Sequence, residues 1–431
     1  MKKQFGNHTL WQIGPNRITR SGRQDTGRVV ATLALVAVFQ LLPAGAAAAT
    51  LRVPEQFRAM PSVVNAATTL RVPEQFRTIQ SAVNAAHPGD TIKVAAGTFS
   101  EQVTIAKDLT LIGAGAGDDS TGSNDSSNRG SDDEVTTIKA PVILVPGPFG
   151  GRREIVTIMS GAKVTMSNLR IAGPGAEPSE SPTSLSDGVL VVEDATLNMH
   201  SAAVIDIRGP STSPDCPLVG AILIGMPAIL SGGPATGHGT IAGVSVRGYG
   251  AFGISVTGPN STATFSHNRV TGLGLVGHTA TVGVSVGFGA AGTVLGNTVT
   301  NNLCDAPGCG PDPINQIQAT GISVLFGSAG TVVAYNNISK NDVGTYLVLS
   351  PNCCSVHHNT LTDNRFFGDA ILDGDNTISH DLISGGQVGV GIIANTINTT
   401  GTLRKVAISG ASVVPVKELS CCGFMAKAVI K

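Results

Sequence analysis

Charge and aromatic rings are scarce in this chain. Charged residues make up 13% of its 431 positions, against roughly a quarter in an ordinary soluble domain. Aromatics make up 4%, with one Trp and three Tyr. Helical bundles favour charged, Gly-poor outer faces, so this composition argues against one. The net charge is −1, which excludes the basic footprint of a nucleic-acid partner and the electrostatic pull of an anionic membrane. Long apolar runs are lacking as well. The run from Val29 to Leu42 is shorter than the ~20 residues a spanning helix needs. It follows Lys2, Lys3, Arg17, Arg20, Arg23 and Arg28 and precedes Pro43 and the small residues from Ala44 to Ala49. Residues 1–49 therefore read as a signal peptide with a long basic leader. A secreted, extracellular, periplasmic or cell-envelope protein is expected, with no membrane span in the mature chain.

What is abundant is glycine, 54 residues of it, as suits many short strands joined by tight turns. Residues 69–87 repeat residues 50–68 as a tandem duplication. The second copy runs straight into Thr91–Val94 and so takes the capping role. The first copy carries Pro61 where the second has Gln80, at a cost of roughly 3 kcal/mol of helix stability, and is expected to pack loosely. In the second copy Phe76, Ile79, Ala82, Val83 and Ala86 fall at helical spacing, and Pro88-Gly89 stops the helix. Alternating strands follow at Val103–Ile105 and Leu109–Ile112. Residues 114–135 form a Gly/Ser/Asp tract without calcium-loop spacing, read as a mobile insertion. Short apolar runs then resume, among them Ile143–Val145, Glu154–Ile158, Val189–Val192 and Gly220–Ile224.

From Gly243 onward a register emerges. A Gly-[Ile/Val]-Ser-Val unit occurs at Gly243, Gly253, Gly283 and Gly321, with a looser copy at Gly344. An Asn-x-apolar-[Thr/Ser] unit occurs at Asn268, Asn297, Asn336, Asn359 and Asn376, more weakly at Asn395. From Gly253 to Asn268, Gly283 to Asn297, Gly321 to Asn336 and Gly344 to Asn359 the offset is 14 or 15. Such constancy amid variable insertions is the mark of stacked coils, with Asn at a corner bonding to the Asn one rung away. The stack needs an end at each side: the Phe76–Ala86 helix is expected at one, and Leu403–Lys431, with Val413, Val414 and Val416 as a final rung, at the other.

The stretch Phe76–Gly115 resembles the opening of right-handed parallel β-helix proteins of the pectin-lyase-like superfamily, pectinesterases included. The resemblance implies an all-β chain over residues 69–425: a single-stranded right-handed parallel β-helix, a solenoid with an N-terminal capping α-helix. Gly97-Thr-Phe-Ser-Glu101 resembles the early Gly-x-Tyr-x-Glu element of pectinesterases, yet that family's two catalytic aspartate motifs are not found. Gly237-His238-Gly239 is similar to one polygalacturonase element, without the paired carboxylates that inversion requires.

Two polar clusters remain as candidates. Asp363, Arg365, Asp369, Asp373 and His380, with Asp375 and Asp381, span about one coil. They suit a carbohydrate or calcium site with Arg365 as base, or turn chemistry at corners. Cys353-Cys354-x-x-His357-His358 resembles a soft-metal cluster with Cys354 and His357 as ligands, and related periplasmic β-helix proteins serve in copper-enzyme maturation. A strand's period of two opposes all four side chains facing one way. The chain has seven cysteines, an odd count. Cys304 and Cys309 bracket a short loop, whereas adjacent cysteines are expected to pair elsewhere. No resident cofactor is expected. The function expected first is non-catalytic binding of polysaccharide or another surface component along the solenoid. The alternatives are a polysaccharide-active esterase, lyase or polygalacturonase, and a periplasmic metal-handling protein.

Overall fold

The computed structural model describes residues 67–117, 134–149, 151–174, 185–208, 219–227, 235–277 and 280–431. The expected signal peptide, nearly all of the first copy of the duplication and residues 118–133 of the insertion lie outside the described residues.

Among the described residues, three parallel sheets of 13, 11 and 11 strands run from Thr69 to Ile430. We call them A, B and C in that order. The backbone visits C, then A, then B, and each pass makes one coil. Phe252–Thr257 lies in sheet C, Thr262–Ser266 in A and Arg269–Val276 in B; Val282–Gly287, Ala291–Leu295 and Thr298–Cys304 repeat the circuit one rung on. These strands pair from coil to coil in register, apart from a bulge in sheet B between Thr271 and Gly274.

The register stacks like on like. In sheet C, Ile222, Ile254, Val284 and Ile322 form an unbroken inward column. In sheet A the column is Met199, Ile241, Phe265, Val294, Val333, Val356 and Ile378. All of these side chains are buried in one core, and each contributes about 1.5–3 kcal/mol. No coil covers its own apolar face, so the columns are stable only as a stack.

The cap is the helix Ile79–Ala85, shorter than the sequence expectation. Thr78 and Ser81 form a capping box. The Glu101 carboxylate accepts the backbone N–H groups of Ile79 and Gln80 at 2.8 and 2.9 Å. Ile79, Ala82 and Val83 plug the first coil. At the other end the strands Val414–Ser420 and Ala426–Ile430 are the last rungs of sheets C and A. Val413 lies just before the strand and is exposed.

Several expectations need correction. Ile143–Val145 is not a strand. It belongs to a loop held by Gln102, and Ile143 and Val145 stand in solvent while Leu144 is buried. Gly243 is a corner residue with φ 61°, apart from the column Gly253, Gly283, Gly321 and Gly344. In that column a Cβ would strike the next rung: at Gly283 it would stand 2.7 Å from the Gly321 carbonyl oxygen and 2.4 Å from Val299. Cys353 and Cys354 bond to each other, as do Cys421 and Cys422, rather than elsewhere; Cys304 pairs with Cys309.

Candidate functional site

The A-to-B corner is a two-residue turn repeated along the solenoid. Its first residue has positive φ: His267, Gly296, Tyr335, His358, His380 and Lys405 occupy successive coils. At the first five corners the second residue is buried, and at the first four it forms the asparagine ladder. The Asn268 side-chain amide donates to Asn297 Oδ1 at 3.0 Å, Asn297 to Asn336 at 3.0 Å and Asn336 to Asn359 at 3.0 Å. Each Oδ1 also accepts the backbone N–H of the rung before. Asn376 and Asn395, expected as further rungs, are elsewhere. The next rung is Asp381, whose carboxylate accepts the Asn359 N–H at 2.9 Å. Asp381-Leu-Ile-Ser384 matches the repeat with Asp for Asn. A second ladder, Asn302, Asn341 and Asn364, lines the corner after sheet B and ends on the Tyr249 hydroxyl.

These ladders explain why the Asp363–Asp381 candidates do not form one site. A single coil carries them around all three corners. Asp363 sits at the B-to-C corner with φ 53°. Asp373 sits at the C-to-A corner, where its carboxylate accepts the N–H of Asn395 and Thr396 and the Thr396 hydroxyl at 2.6–2.9 Å. His380 is at the A-to-B corner. Arg365 is bound to the buried Asp342 at 2.7 Å, reaches the Cys304 carbonyl and lies over the Phe366 ring. It is a brace rather than a free base. Asp369 is enclosed in the stack beside Thr345 and Asp381. Burial first, then the Asp381 charge, holds its acid well above the usual range, and burial pushes Asp381 up to about 6. Both are interior groups.

A pair of acids absent from the sequence candidates lies at the start of sheet C. Glu154 and Asp187 are register partners on adjacent strands, both fully buried. Arg152 binds Asp187 with Nε at 2.9 Å and a terminal nitrogen at 2.7 Å. Burial, then the Asp187 charge, pushes Glu154 up to about 7; burial pushes Asp187 up to about 6 against the pull of Arg152. The available signal was a carboxylate opening two otherwise apolar runs, at positions that only the register brings together.

The open surface is the outer face of sheet A. One column runs Thr110, Thr165, Asn198, Thr240, Thr264, Thr293, Val332, Ser355, Thr377 and Thr402, in register throughout. Every member is at least partly exposed. Across it lies a shallow groove of about 350 Å³, lined by Thr196, His238, Thr240, Thr264, Thr293 and small residues. No described lining residue is Asp, Glu, Lys or Arg. His238 meets the Thr262 hydroxyl at 2.8 Å, so the Gly237-His238-Gly239 match lies in the groove, with no carboxylate among the described lining residues.

Rings flank this face at both corners. Phe288 and Phe326 sit on successive C-to-A corners, centroids 5.8 Å apart. On the A-to-B corner Tyr335, His358 and His380 stack in turn at 5.0 and 4.6 Å, with interplanar angles of 16° and 3°. His357 stands edge-on to Tyr335 and His358, and its Nδ1 is 3.0 Å from that of His358. Burial, then His358 and His380, lowers the His357 pKa. Cys354, the other expected metal ligand, is bonded to Cys353 and packs against the core.

The family described as right handed beta helix region matches residues 229–403. No curated protein matches the chain. Among solved structures, the GH136 lacto-N-biosidase from Eubacterium ramulus is similar with a TM-score of 0.53 and 14% identity, over 82% of this chain. The chain spans 63% of that enzyme's length. The periplasmic alginate epimerase AlgG gives 0.44 at 12% identity, over 84% of this chain and 83% of that one. A polygalacturonase from Erwinia carotovora ssp. carotovora gives 0.39 at 11%, over 82% and 96%. No helix among the described residues is long and apolar enough to cross a membrane. The described chain folds as a right-handed parallel β-helix.

Proposed function

We propose that this is an exported, extracellular or envelope-associated β-helix that binds an uncharged polysaccharide on the outer face of sheet A without cleaving it. One observation carries the reading: a charge-free groove floored by Thr240, Thr264 and Thr293, with the half-buried Phe288 ring at the C-to-A corner that leads into the Thr293 strand and the exposed Phe326 ring one coil on. A sugar chain offers hydroxyls to donors and acceptors and flat C–H faces to rings. Ligand sites combine such surfaces with few orienting polar groups. Rungs repeat about every 4.8 Å, so the same contacts recur along an extended polymer. With no cation among the described lining residues, a neutral glycan is favoured over a polyuronate. The similar structure named as a lacto-N-biosidase accords with a carbohydrate ligand.

The test is binding of the mature protein to neutral glucan and xylan beside polygalacturonate and alginate, with product analysis. Neutral chains bind and no methanol, reducing end or unsaturated end appears. Phe326→Ala weakens binding by about 0.5–1.5 kcal/mol, roughly two- to tenfold, and Thr264→Lys blocks the groove with the fold intact. Preference for polyuronates, or unchanged binding in both variants, refutes the proposal. Product release would favour the enzyme reading instead.

A further inference from the structure

The imidazoles at the A-to-B corner have a geometry that sugar binding does not require. His357 ends the strand Cys354–His357, and His358 is the corner residue that follows, at φ 57°. A residue in an extended strand and its neighbour in left-handed geometry can aim side chains at one point, which two successive strand residues cannot. Here that point is shared by the two Nδ1 atoms, 3.0 Å apart, with the ring planes at 89°. Two nitrogens about 2.1 Å from a common ion stand about 3.0 Å apart at a 90° angle and about 3.4 Å apart at a tetrahedral one.

We propose that His357 and His358 chelate a nitrogen-preferring divalent ion of tetragonal habit, the class of Ni(II) and Cu(II), through their Nδ1 atoms. The pair is pre-organised. His358 is clamped between the Tyr335 ring and the His380 ring, with centroids at 5.0 and 4.6 Å. His357 is braced edge-on against Tyr335 at 5.6 Å. Tyr335 and His380 are positioning residues, which hold His358 as partners behind a ligand commonly do. His358 is exposed and His357 half-buried, so solvent can complete the ion's shell. Lys405, on the corner after His380, and Arg404 beside it are the nearest cations along the stack. The vicinal Cys353–Cys354 bond keeps thiolates out of the ligand set. The site is independent of the glycan reading, which the polysaccharide assay judges by itself.

Calorimetric titration of the full mature chain with NiCl₂, CuCl₂, ZnCl₂ and CaCl₂ tests this. Ni(II) and Cu(II) bind with one-to-one stoichiometry, Zn(II) more weakly and Ca(II) not at all, and Cu(II) gives a nitrogen-ligated paramagnetic resonance spectrum. His357→Gln and His358→Asn abolish this site, the second keeping a residue tolerant of left-handed geometry. His380→Asn and Tyr335→Leu weaken it on the order of tenfold with unfolding midpoints unchanged. His200→Ala, on an outer strand position well before this corner, leaves it intact. The proposal is overturned if wild type binds none of these ions, if Zn(II) binds tightest, or if His357→Gln and His358→Asn bind as wild type does.

Discussion

Replacing Asn297 by leucine probes the ladder at its middle. Asn297 is buried and serves four bonds: it donates to the Phe265 carbonyl at 2.9 Å and to Asn336 Oδ1 at 3.0 Å, and accepts from the Asn268 N–H at 2.9 Å and the Asn268 amide at 3.0 Å. Leucine supplies none of these. The Asn268 amide keeps Ile241 O, and Asn336 Oδ1 keeps the backbone N–H of residue 297. The Asn268 N–H is left without a partner. One orphaned buried donor costs about 1–3 kcal/mol and each lost bond about 1 kcal/mol, so the sum is roughly 3–5 kcal/mol after allowing for non-additivity. Urea denaturation measures it, with Asn337→Leu as control, since Asn337, which follows the Asn336 rung, is exposed and should stay within about 0.5 kcal/mol. Limited proteolysis should cut first near the altered coil, because a solenoid's stability is a sum of neighbour terms. If Asn297→Leu and Asn337→Leu unfold at the same denaturant concentration, the ladder does not hold the corners.

Acid should stabilise the fold. Glu154, Asp187 and Asp381 hold protons in the folded chain to about 7, 6 and 6, whereas the unfolded chain loses them near pH 4. The folded state therefore binds more protons across that window. Stability falls as pH rises through it, by up to about 1.4 kcal/mol per pH unit per group. The unfolding midpoint should be higher at pH 5 than at pH 7.5, and Glu154→Gln should flatten the upper part of the slope; a midpoint that rises with pH contradicts this. Gly283→Ala should cost about 1–3 kcal/mol by forcing a methyl against the Gly321 carbonyl and Val299, while Gly277→Ala, with only Asp305 nearby at 3.7 Å, should be neutral by the same denaturation assay. Arg365→Met should lose about 3 kcal/mol by stranding the buried Asp342, and Asp342→Asn in that background should restore part of it.

Much of the solenoid was written locally. The offset from Gly253 to Asn268, and its copies, is one strand of sheet C plus one of sheet A, a length the stacked register keeps constant from coil to coil. The Phe76–Ala86 periodicity gave the cap because a seven-residue helix with three buried side chains and its own capping box is encoded within a dozen positions. Asp381 read as a member of the polar cluster and not as a rung because its chemistry, not its pattern, differs: an acceptor-only carboxylate can end a ladder of amides, and Asp-Leu-Ile-Ser fits the repeat once that is seen. Ile143–Val145 misled because an apolar triplet carries no record of which loop will hold it.

The amino-acid order alone determined that short strands would wind into stacked coils, that apolar residues would point inward, and that small or amide residues would turn the corners. These follow from period, turn chemistry and burial, which act between near neighbours. Only the tertiary structure decided which polar residues meet. It scattered Asp363, Asp373 and His380 to three different corners, because one coil circles the whole perimeter. It joined Glu154 to Asp187 and set Tyr335, His358 and His380 face to face, because residues a full coil apart in sequence are separated in space by a single rung.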